Sequence, residues 1–445
     1  AYFKYSPYAA AFGISDKIPA FYSPSYETFV ARTFFSPQWT PILMNTIAFY
    51  VAAIFGDICL TVIAYILYVR VENLPFPTAT PVVQATETLI QRDWKRLGVL
   101  AATSSFAAVY GLAVYVMPLL GRVLWATSIS FIPVPWYDLN TYVQRVLPGG
   151  SLGIATDLSV FTFGFIIPFR LSLGMLIGSL GLYLFGNYIL VANNITEFAS
   201  RYTYGLEIQA AWQQSVLYAW LMPIIGLGIA VGVMPLILHP NLMRRTFSAL
   251  KRLKTESPMG ISIWWLVLPF IAGALGLSIY DWWLAPDISI IVLIFLNLIW
   301  PFVYMIIYAR AQALGVTVSV PYIRETTFKT TGYSGINAWF VPLYAPSPAA
   351  ESFKICDMTK TKLTDYIIAQ YIIFPIALVF GFLFMQAFWS LAPIPSSVYP
   401  GVQYNWPVIA TVQGLFVSPQ AGQYFVTPRI LYGFIAGVAM YAVGD

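Results

Sequence analysis

Histidine is nearly absent from this chain of 445 residues, which has one, His239. A bis-histidine haem, a copper centre or a multi-histidine zinc site cannot be assembled from a single imidazole. Cysteine is almost as scarce: Cys59 and Cys356 lie far apart and in different predicted surroundings, which suggests neither a disulfide framework nor a metal site. Charged residues make up 9% of the chain, against about 25% in soluble proteins. There is no GxxxxGK[ST] phosphate loop, no HExxH motif and no arranged Ser–His–Asp set. We therefore expect no enzyme, no cofactor, no bound metal and no nucleic-acid partner. Residues 1–40 lack a basic segment followed by an apolar one, so no signal peptide is visible.

What the chain has instead is apolar length. It is 59% hydrophobic and 17% aromatic, with a mean hydropathy of +0.73. Apolar runs near the ~20 residues that a bilayer crossing needs recur along it. The expected fold is all-α, a polytopic transmembrane helical bundle. Residues 1–40, rich in Tyr, Phe, Pro and Ser, read as an aromatic extracytoplasmic or interfacial segment. Residues 41–445 read as the transmembrane domain. The chain opens at Ala1 and ends in the apolar run RILYGFIAGVAMYAVGD, and we expect it to belong to a longer protein.

Charge bias orients the loops. Loops 70–96, 239–260 and 309–364 are rich in Lys and Arg and are expected on the cytoplasmic side of a plasma membrane. The turn holding Asp281 and Asp287 has no base and is expected outside, as is the uncharged segment 392–427. Segments 121–157 and 193–214 then both fall outside. The run between them, Leu158–Ile195, must cross twice or not at all. That implies nine crossings, or seven plus a re-entrant hairpin, and the arginine near its turn favours two crossings.

Leu158–Ile195 is also where the pattern breaks. Pro168 and Arg170 interrupt its first half and Asn187 sits deep in the second. Non-helical backbone at membrane depth is tolerated only where protein or a water-filled cavity surrounds it, and discontinuous helices are how many secondary transporters bind solutes. A broken helix or re-entrant hairpin lining a polar cavity is one reading; two ordinary helices joined by a tight turn is the other.

Asp57 lies inside the first crossing. A carboxylate there is costly and is a functional candidate by default; it would carry a proton, or it is a buried acid paired with a neighbouring helix. Arg170 has a planar fork suited to carboxylate or phosphate, or it marks a turn. Asn187, Asn297 and Gln386 would hydrogen-bond a solute or a neighbouring helix. Gln84 and Glu87 would dip into the cavity or belong to a solvated helix. Gly226, Gly228 and Gly232 form a GxGxxxG inside a membrane helix, which close packing explains better than a dinucleotide site. The basic run from Arg244 to Lys254 fits topology or anionic lipid, and Asn194-Ile195-Thr196 is an N-glycosylation sequon.

The segment NLPFPTATPVVQA at Asn73–Ala85, followed by a polar helix, RDWKRLGVL and a second apolar span, resembles the oligopeptide transporter (OPT) superfamily. GFIIPFRLSLG at Gly164–Gly174 is similar to a segment of its uncharacterised prokaryotic branch. The resemblance implies cation- or proton-coupled uptake of small peptides or metal chelates through a pseudo-symmetric bundle, with Pro75, Pro77 and Gln84 near the substrate path. Members usually have more helices than are counted here.

The expectation is a permease for a small polar solute, with Asp57 coupling to protons and Gln84, Arg170, Asn187 and Asn297 orienting the solute. The alternative is a cofactor-free integral subunit of a larger membrane complex. Whether the chain acts alone or as a homo-oligomer stays open.

Overall fold

A computed structural model describes residues 1–445 except 119, 122–131, 134–135, 239–263, 316–319, 321, 348, 397, 419–425, 427 and 445. His239 and the basic run from Arg244 to Lys254 lie outside the described residues. The described chain is all-α apart from one two-stranded ribbon, β1 (Trp136–Asp138) with β2 (Gly153–Ala155). Among the described residues, seven helices are long and apolar enough to cross a membrane: α1 (Pro37–Val71), α3 (Trp94–Val116), α5 (Phe169–Ala192), α6 (Ile208–Val231), α7 (Trp264–Leu284), α8 (Ile290–Ala313) and α11 (Leu363–Leu391). Shorter helices lie among them: α2 (Ala79–Gln91), α4 (Leu158–Ile166), α9 (Ile323–Thr330), α10 (Ala350–Met358), α12 (Pro400–Val417) and α13 (Pro428–Gly444). The protein is an integral, multi-pass membrane protein.

Local chemistry sets several helix ends. Asp93 caps α3, its carboxylate accepting from the backbone N–H groups of Lys95 and Arg96 at 3.0 and 3.4 Å. Pro168 has no N–H and biases Ile167 away from helix, so α4 stops at Ile166 and α5 starts at Phe169. The nine residues of α4 reach about 13 Å at 1.5 Å per residue, short of the ~30 Å hydrocarbon core. The break expected in 158–195 is therefore present, but only α5 has the length of a crossing. The favoured pair of crossings is one full helix and one short one.

The chain forms two compact units: Ala1–Asn73, Ile225–Arg310 and Val318–Asp445 make the first, Leu74–Ile224 and Ala311–Thr317 the second. In the first, α7 runs antiparallel to α1. Tyr280 donates to Asn45, and a Cβ at Gly273 would sit 3.6 Å from the Ala52 backbone. From Ile58 to Val69 every residue of α1 is buried. Gly226 on α6 meets α13 backbone to backbone: a Cβ there would fall 2.0 Å from the Ile430 carbonyl oxygen. Glycine is required at this crossing, as the GxGxxxG spacing suggests. Residues 1–40 do more than coat an interface. Phe3 and Trp39 are buried, Phe34 packs on Trp389 of α11 at 4.9 Å, and Gln386 grips the backbone of Arg32 and Phe34. Gln386 is thus a structural clamp.

The largest departure from the sequence reading is segment 309–364, expected as a cytoplasmic loop. Arg310 lies 3.8 Å from Glu72 at one end of α8 and α1. Tyr333 then donates to Asp287 at 2.8 Å, in the turn before α8, roughly 30 Å away along that helix. Asp357 finally pairs with Arg70 at 2.9 Å, back at the first end. Within the first unit, Tyr333 thus lies at the far end and Asp357 back at the first, so the described part of the segment is a second re-entrant element. At Tyr333, burial holds the phenol above its ordinary pKa, against the lowering effect of the Ala338 N–H, so it stays a donor to Asp287.

In the second unit the LPFP segment is a tight structural corner. Phe76 is wholly buried with φ 43°, and its N–H donates to the Ala313 carbonyl at 2.9 Å. Pro77 packs on Gly315, whose φ of +84° and missing Cβ both require glycine.

Candidate functional site

Asp57 sits near the middle of α1, and the residue before it is Gly56. The missing side chain leaves room for Tyr344, whose ring lies across the glycine: a Cβ there would be 2.5 Å from the phenol oxygen. Tyr344 belongs to the non-helical stretch 341–347, between a 3₁₀ turn (Asn337–Phe340) and α10. This is irregular backbone at the level of a mid-helix carboxylate, which needs partners for its amides.

Side chains of the membrane helices supply them. Asp57 Oδ1 accepts from the Tyr344 hydroxyl at 2.7 Å and from the Ser347 N–H at 3.0 Å. Thr61, one turn on, accepts from the Ala349 N–H at 2.9 Å. Asn297 on α8 accepts from the Tyr344 N–H at 2.8 Å. Three amides that no helix or sheet satisfies are each matched to one membrane-helix side chain. The stretch is held as a strap, and Asp57 carries two of its fastenings.

Beside the strap, between α1 and α11, lies a cavity of about 480 Å³, within the ~300–1,000 Å³ range of small-molecule sites. Asp57, Thr61 and Ser347 form one polar wall; Gln370 and Tyr366 of α11 face it. The remaining lining is apolar and aromatic, including Phe49, Tyr50 and Phe374. Asp57 therefore lines a cavity and fastens a non-helical segment at once.

Of the expected solute-orienting set, Asn297 alone belongs to the same unit as Asp57. Asn297 is wholly buried and spends its amide on protein, its Nδ2 reaching Asp281 at 2.9 Å and Ser278 at 3.3 Å on α7. Gln84, Arg170 and Asn187 belong to the second unit. Arg170 is exposed in the first turn of α5. Asn187 is wholly buried and accepts from Trp220 Nε1 at 2.7 Å, the helix-to-helix role. Gln84 is exposed in an open groove of about 560 Å³ between α2 and α3, beside Thr88, Lys95 and Arg96. Pro75 is exposed, while Pro77 and Glu87 are half-buried.

Sequence reasoning missed two features of the site. Asp281, expected in an outward-facing turn with Asp287, is inside α7 and has no exposed surface. The strap was hidden in a charged segment; its signal was the uncharged aromatic run NAWFVPLY at 337–344. Among the described residues no cluster of His, Cys, Asp and Glu is placed to hold a metal ion. No family model matches the sequence, and comparison with curated proteins and with solved structures finds no match either.

Proposed function

We propose that this protein is a secondary active transporter of the plasma membrane, similar to the OPT superfamily, that moves a small polar solute such as a short peptide or a metal chelate with a proton or cation gradient. The observation that carries the reading is Asp57: a mid-helix carboxylate that lines a cavity and fastens the strap through Tyr344 and Ser347. Protonating a carboxylate weakens it as an acceptor. Loading Asp57 loosens the strap, and the solute cavity changes access as the strap moves. This couples ion to solute through one element with two arrangements. The basic groove at Gln84 suits the carboxylate end of a peptide. The test is uptake of labelled di- to tetrapeptides by proteoliposomes under an imposed pH gradient, read with a lumenal pH dye. Peptide entry with acidification supports the reading; no flux of either kind ends it.

The fastening predicts a double-mutant result. Gly56→Ala pushes the phenol off Asp57, and Tyr344→Phe removes its hydroxyl. Each is expected to lower uptake about tenfold, the loss of one hydrogen bond to a charged group. The double variant should be no worse than either alone, because both remove the same contact. Additive losses, measured in the same vesicles, would contradict the shared role.

A second reading, a cofactor-free integral subunit of a larger complex, draws on one observation. Helices α3, α5 and α11 bury only 6%, 11% and 6% of their apolar windows within the chain. Native mass spectrometry of protein released from its own membrane discriminates: a stoichiometric partner chain favours the subunit.

A further inference from the structure

Asp281 is a further carboxylate within a membrane helix, and its surroundings differ from those of Asp57. It has no exposed surface. Its Oδ2 accepts a hydrogen bond from the neutral amide of Asn297 at 2.9 Å, and its Oδ1 has no partner among the described residues. No ion pair to Asp281 occurs among the described residues. The titratable groups on the elements packed around it are Tyr280 on its own helix, which donates to Asn45, Tyr344 on the strap, Tyr50, Asp57, Cys59, Tyr65, Tyr68 and Arg70 on α1, and Tyr304, Tyr308 and Arg310 on α8. The two cations stand at the far ends of their helices, Arg70 with Asp357 and Arg310 beside Glu72, and Arg310 is 13 residues, about 20 Å, along α8 from Asn297. A bare carboxylate with one neutral donor, buried in a membrane bundle, lacks the compensation that a buried charge needs. A bound cation would supply it, but the Asn297 group aimed at Asp281 is the Nδ2 donor, because its Oδ1 takes the Tyr344 N–H. A donor pointing into the site disfavours a metal cation and leaves a proton as the ligand.

The connection to Asp57 is continuous. Asp281 bonds Asn297, Asn297 bonds the Tyr344 backbone, and the Tyr344 hydroxyl bonds Asp57. The two acids sit at different depths: the neighbouring Tyr280 is level with Asn45 of α1, three turns and about 18 Å from Asp57 along that helix.

We propose that Asp281 is a proton-binding site, occupied in this arrangement, and that Asn297 and Tyr344 tie its occupancy to that of Asp57. When the strap leaves Asp57, Tyr344 releases Asn297, Asn297 releases Asp281, and the proton is free to depart toward the Asp287 end of the bundle. No covalent bond changes except the carboxyl O–H. The proposal deepens the transport reading and rests on it for its role in a cycle, but the site itself is testable without transport.

The test is infrared difference spectroscopy of the full chain in liposomes, titrated with acid in light and heavy water. A protonated-carboxyl C=O band is expected at neutral pH, lost in Asp281→Asn and kept in Asp57→Asn. Asn297→Ser, which removes the amide donor, should move that band to higher frequency, and this arm serves if Asp281→Asn does not fold. Tyr344→Phe should shift the pH at which the band appears by about one unit, a tenfold change in proton affinity. A band unchanged in Asp281→Asn and unmoved in Asn297→Ser overturns the site. A band removed by sodium at constant pH overturns the choice of proton. A midpoint unmoved by Tyr344→Phe overturns the tie to Asp57. If the band behaves as expected while Asp57→Asn leaves gradient-driven flux intact, Asp281 stands as a proton site and the role given to Asp57 falls.

Discussion

Asp57→Asn is expected to abolish uptake driven by a pH gradient, by roughly 100-fold or more, the loss of an interaction worth about 2.7 kcal/mol. The substitution suits the geometry. Asparagine keeps an Oδ1 that can accept from the Tyr344 hydroxyl and the Ser347 N–H, so the strap stays fastened. What is lost is the change between charged and neutral forms that loosens it. Counterflow, in which labelled solute exchanges for unlabelled solute without a gradient, should therefore fall only a few-fold. Proteoliposomes containing wild-type and variant protein, assayed both ways, separate the outcomes. Equal loss of both activities would make Asp57 a structural acid; retention of both would remove it from the mechanism.

Gly226→Val is expected to have the largest effect on stability. Its Cβ would sit 2.0 Å from the Ile430 carbonyl oxygen and 2.6 Å from the Phe434 nitrogen. Both are backbone atoms, so no rotamer change relieves the clash, and α6 and α13 must separate. Overpacking costs about 1–3 kcal/mol where side chains can adjust, and we expect at least the upper end here. Gly228→Val is the control, since a Cβ there meets the Val320 side chain at 3.0 Å, an atom that can turn away. Thermal unfolding in detergent, followed by thiol-reactive or intrinsic fluorescence, should rank Gly226→Val well below Gly228→Val. Equal melting temperatures would mean that α6 and α13 do not cross as described.

These expectations show which signals a membrane sequence carries openly. The crossings at α1, α7, α8 and α11 were legible because uncharged length has few other uses in a chain. Asp57 and Asn297 were legible because a polar side chain far inside such a run demands a reason. The same logic found the break in 158–195 and missed a second discontinuity. In 158–195 the proline does break the helix, yet Arg170 ends exposed and Asn187 is answered by Trp220. The segment that enters the bundle carries Arg324, Glu325, Lys329 and Asp357, and hydropathy reads such charge as loop. Those groups are paired or placed at the ends of the bundle: Arg324 with Glu325 at 2.6 Å, Asp357 with Arg70 at 2.9 Å. The middle, 337–344, is uncharged but too short to register as a span. Asp281 escaped notice because it lies three residues before the end of its helix, where the adjoining Asp287 made the pair look like a turn. The Asp357–Arg70 pair joins residues far apart in the sequence, and no local window contains it.

A strap beside a water-accessible cavity at the depth of Asp57 should react with water-borne reagents, and labelling of single cysteines measures this. With Cys59 and Cys356 replaced by serine, Ala345→Cys and Ser347→Cys in proteoliposomes should react with a small, charged, membrane-impermeant thiol reagent. Both positions are exposed beside the cavity. Reaction should quicken in acid, as protonated Asp57 lets go of the strap. If both cysteines instead resist the charged reagent at every pH and react only with a lipid-soluble maleimide, the cavity holds lipid, and the account is contradicted.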